Sequence, residues 1–338
     1  MGLNTALYQN PPLITVFGGS GFVGRHVVEA LTKRGYRVRI AVRNPQKAYY
    51  ILQMGGVGQI QMIAADITNR SHVARALAGA NAAISLAGML TPLGKNTLAK
   101  VHVKGAKNVA DLAAKAKIPL LHMSSLWSNK DSNLAYAKTK GLGEEAVRIA
   151  YPDAIIIRPS LIFGPEDRFF NRLAAQAQGA RIITLFGANK ARFQPVYVGD
   201  IASFIVKALE GEAKAGTIYE LGGPETVTLQ ALFQKILTII QQKPRLITLP
   251  VWMGRIIGSF FSLVGKLPLI PTKTTREQIL LLQLDSCVTL QAQNESRTFE
   301  ALGITPTPIA AIAPSYLWRF RPNGQFATLA LSTYQKDI

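Results

Sequence analysis

The chain is predicted to be α/β: a Rossmann-type, doubly wound parallel sheet with a smaller C-terminal α/β lobe. Three observations predict it. Short β-branched runs alternate with longer helix-period stretches up to about residue 160, the rhythm of a parallel sheet with helices on both faces. Glycines crowd one short stretch, at Gly18, Gly19, Gly21 and Gly24, between the first such run and the first helical stretch. After residue 160 the alternation gives way to shorter, less regular pieces.

The elements follow in order. LITVF (13–17) reads as the first strand and 22–34 as a helix. YRVRIAV (36–42) is a strand, with a short helix near 45–53. IQMIAAD (60–66) and a helix at 70–78 come next, then AAISLAG (82–88) and one long helix across 95–117. PLLHMSS (119–125) precedes a helix at 134–149, and AIIIRPS (154–160) is a sixth strand. Beyond it, 168–179 and 199–210 read as helices, RIITLFG and RFQPVYV as strands flanking ANKA, and TIYEL (217–221) as a further strand. Thr228 suits the cap of a helix running to 241, because its hydroxyl can satisfy an orphan N–H there. The division expected from this is a flexible N-terminus at 1–12 and a dinucleotide-binding domain at 13–165. A substrate or partner lobe interleaved with it covers 166–322, and a tail covers 323–338.

Composition narrows the function classes. With 338 residues, 48% of them hydrophobic, the chain can bury a large core. Its one cysteine, Cys287, excludes an internal disulfide and a cysteine-built metal site, and points to a reducing compartment. His26, His72, His102 and His122 show no ligand spacing, so no metal is expected. The first twelve residues lack the pattern of a secretory signal, and Ala6 breaks a myristoylation motif at Gly2. A formal net charge of +19 favours an anionic partner. The basic residues are spread out, with no run interleaved with aromatics, which argues against nucleic acid and for a membrane or protein surface. The most hydrophobic stretch, 248–271, holds an apolar core too short to span a bilayer. It reads equally as a helix lying in a membrane interface and as one packed on protein.

The glycine stretch has a specific physical use. Gly18 to Gly24 contains both G-x-x-G-x-x-G and, from Gly19, G-x-G-x-x-G, directly after a strand and opening a helix. Glycine permits a sharp turn with positive φ and lets backbone approach a pyrophosphate. The following helix then offers unpaired N–H groups and a favourable dipole to the anion. Gly18, Ser20, Gly21, Phe22, Val23 and Gly24 are therefore candidate cofactor contacts. Where the second strand ends, an acidic residue would favour NAD(H). Here Arg43 stands in AVRNPQK, 19 residues after Gly24, with Lys47 nearby. A guanidinium can grip a 2′-phosphate with paired charge-assisted bonds, and Arg25 can assist. NADP(H) is expected in preference to NAD(H).

With these residues the chain resembles the extended short-chain dehydrogenase/reductase superfamily. Asp66-Ile67 looks like the pair that holds the adenine, and Leu86-Ala87-Gly88 ends the fourth strand against the cofactor. MSS (123–125) sits where the family places its catalytic Ser or Thr, which implies Ser125, with Ser124 beside it near the cofactor. YAKTK supplies Tyr136-x-x-x-Lys140, and RPSLIFGP (158–165), with Pro159, resembles the segment that approaches the nicotinamide. QPVYVGDIA (194–202) resembles a later family motif. Four residues apart on a helix, Tyr136 and Lys140 share a face. A nearby ammonium is expected to lower the phenol pKa and ready Tyr136 as general acid or base. The Ser125–Tyr136 spacing is shorter than the family's usual one.

Within the superfamily, RPSLIFGPEDRFFNRLA (158–174), above all Glu166-Asp167-Arg168-Phe169, resembles the atypical branch that contains the NADPH-binding accessory subunit of respiratory complex I and its bacterial relatives. APSYLWRFRP (313–322) resembles the bacterial members. That branch implies tightly held NADPH, little turnover, and complex I subunits or quinone-biosynthesis proteins as partners. It also implies a peripheral place on the cytoplasmic side of a bacterial inner membrane. The retained Ser125, Tyr136 and Lys140 leave open an active oxidoreductase or epimerase acting on a quinone-like or other apolar carbonyl compound.

Overall fold

The computed structural model describes residues 10–92, 94, 96–186, 191–249 and 276–324. Strands and helices are labelled below in chain order. The described residues fall into two compact units. The first runs to Ser160 and resumes over Val198–Gly222 and Val288–Pro306; the second holds Leu161–Tyr197, Gly223–Cys287 and the residues from Thr307 onward. The chain thus leaves the first unit and re-enters it twice. Most of the apolar stretch 248–271, and the N- and C-terminal segments named above except residues 10–12 and 323–324, lie outside the described residues.

The first unit is built on a parallel seven-stranded sheet, as the alternating pattern predicts. Its strands are β1 (Leu13–Phe17), β2 (Arg37–Val42), β3 (Ile60–Ala64), β4 (Ala82–Ser85), β5 (Leu120–Met123), β6 (Ile155–Pro159) and β11 (Ile218–Leu221). They lie in the order β3-β2-β1-β4-β5-β6-β11. The order reverses direction between β1 and β4, the switch point where open α/β sheets bind ligands. Helices α2 (Arg70–Leu77), α3 (Ala106–Ala116) and α4 (Ala135–Ala150) pack together, α2 against α3 and α3 against α4. Their core contains Phe17, Val73, Val109, Ala113, Val147 and Ile156. Helix α1 (Phe22–Lys33) packs instead on α6 (Val198–Leu209), which explains why the chain must return to this unit after residue 197.

Two elements differ from the sequence reading. The single helix expected across 95–117 begins with a π-helical turn, Lys100–Gly105, before α3. Gly105 has Ile67 pressed against it, so that a Cβ would sit 2.5 Å from Ile67 Cδ1. The helix near 45–53 is a 3-10 segment, Pro45–Met54.

The second unit contains β7 (Ile162–Phe163), α5 (Phe170–Ala177), β8 (Ile182–Phe186), β9 (Arg192–Phe193), β10 (Val196–Tyr197), β12 (Val227–Thr228), α7 (Leu229–Ile239) and β13 (Arg245–Leu249). RIITLFG and RFQPVYV do not pair with each other. β8 pairs in parallel with β13, β9 with β12 and β10 with β7. Thr228 does cap α7, accepting the Ala231 N–H at 3.2 Å. Asp167 is buried and accepts N–H bonds from Gly164, Phe170 and Asn171 and the hydroxyl of Tyr316 at 2.8 Å. Burial pushes its carboxyl pKa up. The two segments singled out around Asp167 and Tyr316 are therefore one packed contact.

Candidate functional site

The site grows from the β1–α1 turn. Gly18 has φ 81°, a conformation that favours glycine, and a Cβ there would lie 3.0 Å from Ala87 N. A Cβ on Gly24 would lie 2.2 Å from Gly18 O and 2.6 Å from Gly19 Cα. Gly21 precedes α1 in extended conformation, and as a glycine it offers the helix no side-chain cap. The turn is thus a cradle of backbone aimed along the start of α1, shaped by missing side chains. This fits a dinucleotide pyrophosphate. Ser20 is half-buried, and its carbonyl accepts the Tyr50 hydroxyl at 2.9 Å. Val23 is buried beneath the turn, and Phe22 meets His26 edge-on.

Arg43 is exposed at the end of β2 and carries no ion pair or side-chain hydrogen bond among the described residues. Lys47 is exposed beside it. Arg25 is engaged differently: its guanidinium lies 5.6 Å from the ring centroid of Tyr50. Tyr50, which sequence reasoning passed over, therefore ties Arg25 and the glycine turn together. Asp66 spends one carboxylate oxygen on Thr68 N and Oγ1, both at 2.8 Å, and the Ile67 carbonyl accepts from buried Asn108 at 2.9 Å.

Leu86 donates its N–H to Phe17 O at 2.9 Å, which brings Leu86-Ala87-Gly88 alongside the glycine turn. Pro159 is buried at the end of β6, with its carbonyl accepting from Leu126 N. At the ends of β4 and β5, Ser85 Oγ, His122 Nδ1 and Ser124 Oγ are buried without a hydrogen-bond partner among the described residues. Ser85 and His122 are cross-strand neighbours. Unpaired buried polar atoms at the carboxyl ends of the strands fit a site meant for a polar ligand or ordered water.

The second end of the site lies on α4. Despite the short spacing, the Ser125 and Tyr136 hydroxyls are hydrogen-bonded, and Ser125 Oγ accepts the Trp127 N–H at 3.2 Å. The Tyr136 ring stands edge-on between His102, at 5.6 Å between centroids, and Trp127, at 6.5 Å. Lys140 is buried and donates to Met123 O at 3.1 Å. Burial lowers its pKa to about 8, against the pull of Glu144. Tyr136 is pushed up to about 12 by burial, with Ser125 opposing. The expected lowering of the phenol by Lys140 is therefore corrected. Desolvation dominates, and Tyr136 is a protonated phenol near neutral pH.

Two glycines let α4 approach its neighbours. A Cβ on Gly141 would lie 2.3 Å from Lys130 N, and one on Gly143 would lie 2.1 Å from His102 O. The helix is also anchored by charge. Arg158 donates to both carboxylate oxygens of buried Glu144, at 3.0 and 2.5 Å, and reaches Glu220 at 3.5 Å. Glu220 in turn accepts Thr289 N and Oγ1.

Sequence reasoning thus named Ser125, Tyr136 and Lys140, which do lie together, but missed His102, Trp127 and Thr139 around them. No spacing signal marks these three. Among the described residues no helix is long and apolar enough to cross a membrane, and no cluster could hold a metal ion.

The family model "NAD dependent epimerase/dehydratase family" matches residues 14–222. The chain is 27% identical, over 92% of its length and 80% of the relative's, to the mitochondrial NADH-ubiquinone oxidoreductase 40 kDa subunit of Neurospora crassa. It is 28% identical to NADH dehydrogenase [ubiquinone] 1 alpha subcomplex subunit 9 of Dictyostelium discoideum, over 94% of this chain and 87% of that one. Ceramide reductase of Caulobacter vibrioides is 28% identical over 75% of this chain and 80% of that one. Among solved structures, dTDP-glucose 4,6-dehydratase from Bacillus anthracis in complex with NAD superposes with a TM-score of 0.67. It is 14% identical, over 90% of this chain and 95% of that one. The chain is a homologue of the complex I subunits and belongs to the NAD dependent epimerase/dehydratase family, with the extended short-chain dehydrogenase/reductase fold.

Proposed function

We propose that this chain is an NADP(H)-binding accessory subunit or assembly factor of a respiratory NADH:ubiquinone oxidoreductase, or of the quinone-synthesis machinery that serves it. The observation that carries the reading is likeness to complex I subunits over more than nine-tenths of the chain. The site geometry supports a holding role. The N–H groups opening α1 and the glycine turn would receive the pyrophosphate. Arg43, with Arg25 and Lys47, would take a 2′-phosphate; Asp66 and Ile67 would flank the adenine. Leu86, Ala87, Gly88, Ser124, Pro159, Tyr136 and Lys140 would lie toward the nicotinamide. Bound dinucleotide then stabilises the fold by mass action, by about 3 kcal/mol at a hundredfold excess over Kd. The net charge of +19 supports peripheral attachment to an anionic membrane face, on the cytoplasmic side in a bacterium. Native-gel migration from gently solubilised host membranes tests the role. Co-migration with NADH dehydrogenase activity is expected, and migration apart from it and from quinone-synthesis enzymes overturns it.

The hydrogen-bonded Ser125–Tyr136 pair favours a second reading, an oxidoreductase acting on an apolar carbonyl compound. The dinucleotide, when bound, supplies hydride to carbonyl carbon. Ser125 would orient the carbonyl oxygen. Tyr136, protonated at neutral pH, is in the state to donate a proton to that oxygen, so the site suits reduction. Tyr136→Phe should abolish turnover and spare nucleotide binding. A variant as active as the parent ends this reading.

A further inference from the structure

His102 has no role in the reading above, yet it is 3% exposed and makes three directed contacts. Met89 donates its N–H to His102 Nε2 at 3.2 Å, so that nitrogen carries no proton. Nδ1 lies 2.9 Å from Thr139 Oγ1. The Thr139 hydroxyl gives its single proton to a backbone carbonyl, Ala135 O at 2.7 Å, which leaves Nδ1 as the donor. The imidazole is thereby fixed as one neutral tautomer. Its ring stands edge-on to Tyr136 at 88°. It rides on the π-helical turn Lys100–Gly105, and Gly143 lets α4 close on its carbonyl. Such turns are often found at functional sites.

We propose that His102 is a positioning residue: as the neutral Nδ1–H tautomer it ties the Gly88–Met89 segment to Thr139 of α4 and braces the Tyr136 ring of the same helix, so that the cofactor-facing segment and the candidate acid are placed as one body. The proposal rests on the dinucleotide reading only for the loop's role. Protonating His102 would break the Met89 contact, and burial together with the Lys140 ammonium opposes it, lowering its pKa to about 3.

The test uses the full-length protein without nucleotide first. Long-range ¹H–¹⁵N spectra report imidazole tautomers, and His102→Gln identifies the signal. A constant neutral Nδ1–H signature from about pH 5.5 to about 8 is expected. An Nε2–H tautomer, or titration near the ordinary histidine value, overturns the clamp. Two variants then divide its contacts. His102→Gln keeps an acceptor for Met89 N–H, whereas His102→Asn keeps a donor for Thr139. With melting temperatures matched, the Asn variant should bind NADPH about tenfold more weakly, the size of one lost hydrogen bond, and the Gln variant within about twofold of the parent. Both should shift the Tyr136 ring resonances, assigned through Tyr136→Phe. Unchanged affinity in both variants, with unmoved Tyr136 resonances, overturns the proposal. If the parent binds no NADPH, the dinucleotide reading fails, and the imidazole spectrum still decides the clamp.

Discussion

Around Gly18–Gly24 the site is made of backbone, brought close because side chains are missing. Around Tyr136 it is made of side chains whose protonation is set by burial. The first region depends on atoms that must be absent, and a Cβ on Gly24 has no room at all. The second depends on partners: Met123 O for Lys140, Ser125 for Tyr136 and Glu144 for Arg158. Residue identity therefore nearly determines what the glycine turn can do. At Tyr136 identity is insufficient, because the same Tyr-x-x-x-Lys pair serves as acid, base or inert packing according to its surroundings.

The comparison breaks most visibly at Arg158. Arg158→Ala leaves the buried carboxylates of Glu144 and Glu220 without their cation. Denaturant unfolding should show a loss of about 3–5 kcal/mol. If the loss is below about 1 kcal/mol, the α4 side is not held by charge. Next is Gly24→Ala, which forces Gly18 O and Gly19 out of place. It should cost about 1–3 kcal/mol and remove measurable nucleotide binding by calorimetry. Normal binding would mean that the cradle tolerates side chains.

Lys140 provides a pH test of similar size. Its folded pKa, about 8, lies below the ordinary 10.5, so between those values the unfolded chain binds more protons. Stability from this group therefore rises with pH across that window. At pH 7 Lys140→Met should gain up to about 3 kcal/mol relative to the parent, at 1.36 kcal/mol per pKa unit, less the lost bond to Met123. The difference between the two proteins should shrink as pH climbs from 8 to 10.5. A pH-independent difference would mean that Lys140 is not held in a desolvated site. The smallest effect is at Arg43. Arg43→Ala should weaken NADPH binding by about tenfold or more while leaving NADH unchanged, the signature of a lost charge-assisted contact. Equal loss for both nucleotides would sink the NADP(H) preference.

Much of this was legible in the sequence because it follows short-range rules. The alternation that produces the parallel sheet, the glycine turn, the Thr228 cap and the Tyr136–Lys140 face are all local. What escaped is set by distant packing. The π-helical turn at Lys100–Gly105 lies where Gly105 meets Ile67 and Gly143 of α4 meets His102, and RIITLFG finds β13 some sixty residues away. Likewise the sequence predicts a Tyr136 phenol lowered by the charge four residues on, but burial raises it and only Ser125 opposes that rise. His102 was read as one of four scattered histidines; only the fold brings it to Tyr136, Met89 and Thr139.

The two late returns of the chain to the first unit, over Val198–Gly222 and Val288–Pro306, carry a consequence for biosynthesis. A ribosome that has finished β6 has delivered the glycine turn, Tyr136 and Lys140, but neither α6 to cover α1 nor β11 to cover the edge of β6. Arg158 then waits for Glu220, and Glu220 for Thr289, which emerges last. Until β11 is made, the nascent sheet ends on an exposed β6, a template for unwanted pairing. The unit that holds the candidate site is thus among the last parts of the polypeptide to become whole.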